Sequence, residues 1–300
     1  MAHYEGEVLR PFSDDKEYTL LELLGKGGSA TAWKAQTQDG IVVVLHFADD
    51  EDIHMNNNSP IRVIKMFKSR QMSGQALLEH HLLPLWRSYH SKSQHEYITE
   101  MPYWMGVHPE KIFEYPTKDN LPTYIHFVGR CFMDLMDAVM YLRSHGLLHL
   151  DYHSLNMLYD KNRLMVFDYG QMLRREGTPG LSGFRIAEEA DEEFEIRKLR
   201  NTIGDFVHRF EQYPEAAERL GEPIFSELLR DFLHIWDENK NYDPILTRLR
   251  DKYTTRFLAL FEKYGIDAYQ QPLAAIAPAH INALVENAGA RISRKSQTRI

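Results

Sequence analysis

The sequence predicts an α+β protein with two lobes, a β-rich first lobe over residues 1–116 and a helical second lobe over residues 117–300. In the first lobe, segments rich in β-branched and aromatic residues are separated by glycine or polar runs, which predicts strands. These segments are YTLLELLG, SATAWKAQ, IVVVLHF and IRVIKMF. One helix, from about Ser73 to Trp86, interrupts them. In the second lobe, apolar side chains recur every three or four residues, as a buried helical face requires. The first such series is Ile125, Val128, Phe132, Leu135, Val139 and Leu142.

Composition narrows the class of protein. A hydrophobic content of 43% in 300 residues is enough for a folded core. The net charge of −8 argues against a general nucleic-acid binder, which normally carries positive charge. The single cysteine, Cys131, can form no disulfide within the chain. No apolar run is long enough to span a membrane, and the N-terminus lacks the apolar core of a signal peptide. We therefore expect a cytoplasmic protein without a membrane span.

The stretch HLDYHSLN, residues 149–156, carries the strongest chemical signal. It follows a predicted helix that ends at Gly146, and it precedes two short apolar segments, NMLYD and RLMVFDYG, which predict a β-hairpin. This order predicts that Asp151, Asn156 and Asp168 converge. Phosphoryl transfer from ATP needs such a convergence, because a carboxylate orients the attacking hydroxyl while a metal ion neutralises phosphate charge.

These residues resemble two motifs of the protein kinase superfamily, H-x-D-x-x-x-x-N and D-F-G. The chain has His149, Asp151 and Asn156, followed by Asp168 in the tripeptide DYG. The resemblance implies a bilobal protein-kinase-like fold and an ATP-dependent kinase that uses Mg²⁺ or Mn²⁺. Asp151 would be catalytic, and Asn156 and Asp168 would bind the metal. His149 would pack beneath them.

The first lobe contains a segment that resembles the kinase glycine-rich loop, LLGKGGSATAWKA, with Ala30 in place of the third glycine. The resemblance implies that this loop binds the phosphates of ATP through its backbone, because glycine leaves the amide groups accessible. The residues concerned are Gly25, Lys26, Gly27, Gly28 and Ser29.

Three further first-lobe features match kinase motifs in order along the chain. Val63-Ile64-Lys65 resembles the V-A-I-K strand, which implies that Lys65 contacts the α- and β-phosphates. The segment IVVVLHF competes for the same strand, but it offers His46 and no lysine. Glu79 would be the ion-pair partner of Lys65. The segment IFEY resembles the hinge that binds adenine through its backbone, at Glu114 and Tyr115.

Departures from the family pattern leave the substrate open. Leu150 replaces the arginine that grips a phosphorylated activation loop, and no A-P-E follows Gly170. His153 replaces the catalytic-loop lysine of serine/threonine kinases, so it is a candidate to contact the γ-phosphate, as in aminoglycoside and choline phosphotransferases. We expect a divergent protein kinase that phosphorylates Ser, Thr or Tyr hydroxyls of a protein substrate, with an activating partner as an open point. The alternatives are a small-molecule phosphotransferase and a nucleotide-binding scaffold of the pseudokinase type.

Two other expectations concern the location of the protein and an acidic run in its second lobe. Its irregular second lobe resembles those of bacterial effector kinases, so delivery into a host cell stands beside a cytoplasmic location. The run AEEADEEFE, residues 187–195, contains six acidic residues and is expected to form a solvated helix start, where carboxylates favour the positive end of the helix dipole. A docking patch for a basic partner is the alternative.

Overall fold

The computed structural model describes residues 3–14, 16–27, 30–49, 59–92, 94–112, 121–160, 162–175, 186–211, 223–235 and 241–267. The chain divides into two compact units. Among the described residues, the first unit contains those up to Glu79 and Leu83–Trp104, and the second contains His80–Leu82 and the residues from Met105 onward. The lobe boundary predicted at residue 116 lies outside the described residues.

The first unit is built on a six-stranded antiparallel sheet in the order β1-β2-β3-β4-β6-β5. Its strands are β1 (Val8–Leu9), β2 (Tyr18–Lys26), β3 (Ala30–Thr37), β4 (Val42–Asp49), β5 (Arg87–Ser91) and β6 (Glu96–Pro102). One face of β4 is buried through Val43, Leu45 and Phe47, which alternate along the strand as the pleat requires. The strands predicted from YTLLELLG, SATAWKAQ and IVVVLHF are therefore confirmed.

The strand predicted from IRVIKMF is wrong, because this segment lies in helix α1 (Pro60–Ser69). Proline stands in the first turn, where its missing N–H costs nothing, and the Ser59 side chain accepts a hydrogen bond from the backbone N–H of Arg62. The buried side chains have helical spacing, and they are Val63, Met66 and Phe67. The β-branched residues of this segment suggested a strand, but the capping signal and the spacing prevail.

Helix α2 (Gly74–Glu79) is shorter than the helix expected over residues 73–86. Its N-terminal end is capped by Ser73, whose hydroxyl accepts from the backbone N–H of Ala76 at 3.0 Å. Gln71, which precedes the helix, and His81, which follows it, have positive φ angles of 58° and 62°. A left-handed residue interrupts helical backbone geometry, so the chain turns at His81 and cannot continue the helix.

The second unit is helical apart from short strand pairs. Its elements are α3 (Leu121–Ser144), β7 (Leu147–Leu148), β8 (Met157–Tyr159), β9 (Leu164–Val166), β10 (Leu173–Arg174), α4 (Glu189–Glu211), α5 (Ile224–Leu233) and α6 (Asp243–Lys263). The predicted hairpin is confirmed, since β8 and β9 pair in antiparallel fashion. Strand β10 pairs with β7. No helix in the described ranges is long and apolar enough to cross a membrane.

Helices α3 and α6 pack together through aromatic side chains. The ring of Phe132 on α3 lies 5.9 Å from that of Tyr253 and 5.7 Å from that of Phe257, both on α6. Gly129 allows this close approach, because a Cβ at that position would lie 2.6 Å from Cζ of Phe261. Helix α3 is therefore packed along α6 before the chain enters the loop that follows α3.

Candidate functional site

The HLDYHSLN loop starts directly after β7 and is fixed by its backbone at both ends. Gly146, with φ of 70°, ends α3, and β7 then pairs with β10. Leu150 has a positive φ of 67° and is buried against Leu148 and Leu173. The left-handed region is sterically unfavourable for leucine. The burial of the Leu150 side chain offsets this and stabilises the turn. At the other end, the loop closes in a single 3-10 turn, Ser154–Asn156.

His149 is fully buried beneath this loop. Its Nε2 lies 3.2 Å from the carbonyl oxygen of Phe167, and its Nδ1 accepts a hydrogen bond from the backbone N–H of Asp151 at 3.3 Å. The ring stacks on Tyr152, with centroids 4.7 Å apart. Burial lowers the pKa of His149 to about 4, so the ring is neutral at pH 7, with the proton on Nε2. His149 therefore has the structural role expected of it.

Asp151 lies at the centre of the site and has partners on both carboxylate oxygens. The Nδ2 group of Asn156 donates to Oδ2 at 2.9 Å and to the Asp151 carbonyl oxygen at 3.1 Å. Nε2 of His153 lies 3.4 Å from Oδ2, and Nζ of Lys198 lies 3.5 Å from Oδ1. Partial burial acts to raise the pKa of Asp151. The hydrogen bond and charge of His153, together with the charge of Lys198, outweigh this effect and lower the pKa to about 2. The carboxylate is therefore ionised at neutral pH.

Asp168 follows β9, and the hairpin places it near the loop. The backbone N–H of Phe167 donates to the carbonyl oxygen of Asn156 at 3.0 Å, which attaches the end of the hairpin to the end of the loop. Asp168 is exposed, with a positive φ of 64°, and its Oδ1 accepts from the backbone N–H of Gly170 at 3.2 Å. Tyr169 is buried and donates to the carbonyl oxygen of Val166 at 3.3 Å.

The donor set fits a magnesium ion. Nδ2 of Asn156 is used by Asp151, so the amide oxygen is the atom that Asn156 offers to a cation. Asp168 offers carboxylate oxygens. Mg²⁺ prefers such oxygen ligands and usually keeps waters or substrate phosphates in its remaining positions, so two protein ligands suffice. Within the described ranges, no three His, Cys, Asp or Glu side chains are grouped as metal ligands.

A buried ion network supports the loop from below. Oε1 of Glu195 accepts from the backbone N–H of His149 at 2.8 Å, and its Oε2 accepts from Arg143 at 2.5 Å. Arg143 also contacts Glu192 at 2.6 Å and Asp243 at 2.5 Å. The acidic run does begin helix α4, but the expectation that it is only solvated is wrong for Glu195, which is fully buried. Its spacing of four residues before buried Leu199 was the signal that could have indicated this.

Comparison with solved structures identifies the fold. The chain matches vaccinia related kinase 3 with a TM-score of 0.55 and 11% identity, over 90% of this chain and 94% of that one. It matches the BubR1 kinase domain with a TM-score of 0.58 and 15% identity, over 94% and 89%. The chain has a protein-kinase fold. No protein-family model and no curated protein sequence matches it.

A third match is to another protein with a protein-kinase fold. ROP2 from Toxoplasma gondii is described as a virulence factor with a protein-kinase fold and no enzymatic activity, and it matches with a TM-score of 0.58 and 13% identity, over 88% of each chain. Similarity at this level establishes the kinase-like fold and leaves catalysis to the residues of the site.

In the first unit, β2 and β3 form the hairpin that carries the glycine-rich segment at its turn. Gly25 and Lys26 lie in β2, and the backbone N–H of Gly27 donates to the carbonyl oxygen of Ala30 at 2.8 Å. A Cβ on Gly25 would meet no atom within 4 Å, so packing within the unit does not require a glycine there. Gly28 and Ser29 lie outside the described residues, as do Glu114 and Tyr115.

Lys65 loses the strand placement on which its phosphate role rested. It lies on the exposed face of α1. Glu79 is the last residue of α2 and accepts from Nε2 of Gln75 at 2.8 Å. Both residues belong to the part of the chain that the structure describes, and there they form no ion pair with each other. The expected pair is therefore not supported.

The competing segment forms the third strand after the glycine hairpin. This strand, β4, contains Val43, Val44, Leu45 and His46 and carries no lysine. His46 pairs in register with Ala32 of β3 and Thr99 of β6. Lys34, two residues after Ala32, lies on the same face of the sheet, and its Nζ is 4.8 Å from the ring centroid of Tyr103.

Proposed function

We propose that this protein is an ATP-dependent phosphotransferase, a divergent protein kinase that transfers the γ-phosphate to a Ser, Thr or Tyr hydroxyl of a protein. The observation that carries the proposal is the contact of the Asp151 carboxylate with Nδ2 of Asn156 at 2.9 Å, in a loop that is hydrogen-bonded to the backbone of Phe167, the residue before Asp168. A scaffold that binds nucleotide alone does not need an oriented carboxylate at this point.

In the proposed reaction, the acceptor hydroxyl oxygen forms a bond to the γ-phosphorus, and the bond from this phosphorus to the bridging oxygen breaks. The electron pair leaves on ADP, and the hydroxyl proton passes to Asp151 and then to solvent. A carboxylate with a pKa of about 2 is a weak base, so Asp151 acts mainly by orienting the hydroxyl. Asn156 and Asp168 would hold Mg²⁺, which would supply positive charge against the phosphates.

His153 is the second group proposed for the reaction. Its Nε2 lies 3.4 Å from Oδ2 of Asp151, and its side chain is 37% exposed. A ring in this position can turn from the carboxylate to a phosphate oxygen, to which an imidazolium would add a full charge. The same histidine supports the small-molecule phosphotransferase as an alternative substrate class.

One observation favours a different function, a nucleotide-binding scaffold without catalysis. β4 carries His46 where the family has its phosphate-binding lysine, and Lys65 is exposed on α1. The two functions differ in one property, since a scaffold binds MgATP without transferring phosphate.

The discriminating experiment measures both properties on the same protein. Transfer from γ-labelled ATP to a cell lysate and to small hydroxyl compounds is compared with MgATP affinity from calorimetry. Asp151→Asn keeps the shape but removes the charge, and should lower kcat by about 10²–10⁴-fold with little effect on affinity. Asp168→Asn should lower the magnesium dependence of binding. The matched control is Asp251→Asn, whose side chain is 62% exposed on α6.

The outcomes separate the hypotheses. Transfer that is lost in Asp151→Asn and kept in Asp251→Asn supports the phosphotransferase. MgATP binding without transfer, in the presence or absence of a lysate, supports the scaffold. Full transfer by Asp151→Asn would refute the assignment of the HLDYHSLN loop.

A further inference from the structure

Lys198 is a basic residue in the site that belongs to none of the recognised motifs. It lies on α4, and its Nζ is 3.5 Å from Oδ1 of Asp151. His153 lies near the other oxygen, Oδ2, at 3.4 Å. Each carboxylate oxygen of Asp151 therefore has one basic partner, and the two partners come from different parts of the chain.

The backbone holds Lys198 in this place. Helix α4 is attached to the loop on both sides of Lys198, because Glu195 accepts from the His149 N–H at 2.8 Å and the hydroxyl of Thr202 donates to the Tyr152 carbonyl oxygen at 2.8 Å. Both attachments are buried. A side chain that starts between two such fixed points approaches Asp151 without depending on a mobile loop.

The chemical difference between the two basic partners matters. A lysine amine is positively charged at every physiological pH, whereas a histidine in this region is charged only when protonated. Lys198 is 33% exposed on its side chain, so its amine can move from the carboxylate to an incoming anion. Phosphoryl transfer places negative charge beside the residue that orients the hydroxyl, and a permanent cation there stabilises it.

We propose that Lys198 is a catalytic residue that supplies the permanent positive charge beside Asp151 during phosphoryl transfer. This inference rests on the proposed phosphotransferase function. As the bond to the acceptor oxygen forms and the bond to ADP breaks, the amine moves from Oδ1 of Asp151 to an oxygen of the transferred phosphoryl group.

The test uses three variants of the full chain. Lys198→Gln removes the charge, Lys198→Arg keeps it, and Arg197→Gln removes the charge of the adjacent exposed residue, whose guanidinium lies 5.1 Å from the Phe194 ring centroid. The first readout is the affinity for MgADP with and without aluminium fluoride, which mimics the transferred phosphoryl group. The second is kcat and KM for ATP.

Lys198→Gln should lower kcat and the affinity for MgADP with aluminium fluoride by about 10- to 100-fold, as expected for one lost charge-assisted hydrogen bond. Its affinity for MgADP alone should not change. Lys198→Arg should restore most of the rate, and Arg197→Gln should resemble the unchanged protein.

Each contrary outcome has one meaning. If the unchanged protein transfers phosphate and Lys198→Gln does so equally well, the role of Lys198 is overturned while the phosphotransferase stands. If kcat falls in Lys198→Gln but the affinity for the aluminium fluoride complex does not, Lys198 does not contact the transferred phosphoryl group, and the catalytic role is overturned. If the unchanged protein binds MgADP but neither transfers phosphate nor binds more tightly with aluminium fluoride, the phosphotransferase itself fails, and this inference fails with it.

Discussion

Replacing Arg143 by methionine should destabilise the second unit through a single buried carboxylate. Arg143 is 1% exposed on its side chain and contacts Glu192, Glu195 and Asp243 at 2.5–2.6 Å. Arg175 contacts Glu192 at 2.6 Å and Asp243 at 2.7 Å, so these two keep a cation in the variant. Glu195, which is fully buried, is the one left with a charge and no cation. Arg143→Met removes three ion pairs, but the uncompensated charge of Glu195 determines the loss in the free energy of unfolding.

The expected loss in the free energy of unfolding is about 3–5 kcal/mol, which is the usual cost of removing one partner of a buried ion pair. Methionine fills the volume of the arginine stem, so a cavity adds little. The double variant Arg143→Met, Glu195→Gln should recover about 1–3 kcal/mol of this, because a neutral glutamine can still accept from the His149 N–H through its amide oxygen.

Urea unfolding at several pH values provides the assay. Burial already raises the pKa of Glu195, against the opposing effect of Arg143. Without Arg143 the pKa rises further, so the folded state binds a proton more tightly than the unfolded chain. Stability is then lost as pH rises, and the penalty of Arg143→Met should be larger at pH 8 than at pH 5. A penalty below about 1 kcal/mol, or one that shrinks as pH rises, would refute the argument.

Four further predictions concern other parts of the molecule. Gly129→Ala should lower the free energy of unfolding, measured in urea, by about 1–3 kcal/mol, because the added Cβ would lie 2.6 Å from Phe261. This loss should exceed the gain from the higher helix propensity of alanine, and unchanged stability would contradict the packing. Burial raises the pKa of Asp134 to about 7 against the charge of Arg130, so its contribution to stability should fall as pH rises from about 4 to 7. In Asp134→Asn, the urea midpoint should depend less on pH in that window than it does in the unchanged protein. An equal pH dependence in the two proteins would rule this out. Lys65→Ala should leave the MgATP affinity unchanged in calorimetry, since Lys65 is exposed on α1; a tenfold loss would restore its phosphate role. His46→Lys should strengthen MgATP binding by about tenfold if β4 holds the phosphate-binding position, and weaker binding would speak against that placement.

Local sequence was sufficient wherever neighbours in the chain decide the structure. The strands β2, β3 and β4, the long helix α3 and the β8–β9 hairpin follow from side-chain periodicity and glycine positions, which act over a few residues. The HLDYHSLN loop is also local, since Asp151 and Asn156 are five residues apart and bond to each other directly. The wrong prediction at α1 also had a local cause. Ser59 and Pro60 are typical of a helix start, but the β-branched residues that follow favoured a strand.

Tertiary structure decided which distant residues complete the site. Lys198 is 47 positions from Asp151, and Glu195 is 46 positions from His149, so no spacing rule connects either pair. The register of β3, β4 and β6 places His46 within the sheet, whereas Lys65 lies on a helix. These choices depend on which apolar faces are buried together, and burial is a property of the whole fold. Periodicity identified Asp151 and the loop around it, whereas packing alone placed Lys198 beside its carboxylate.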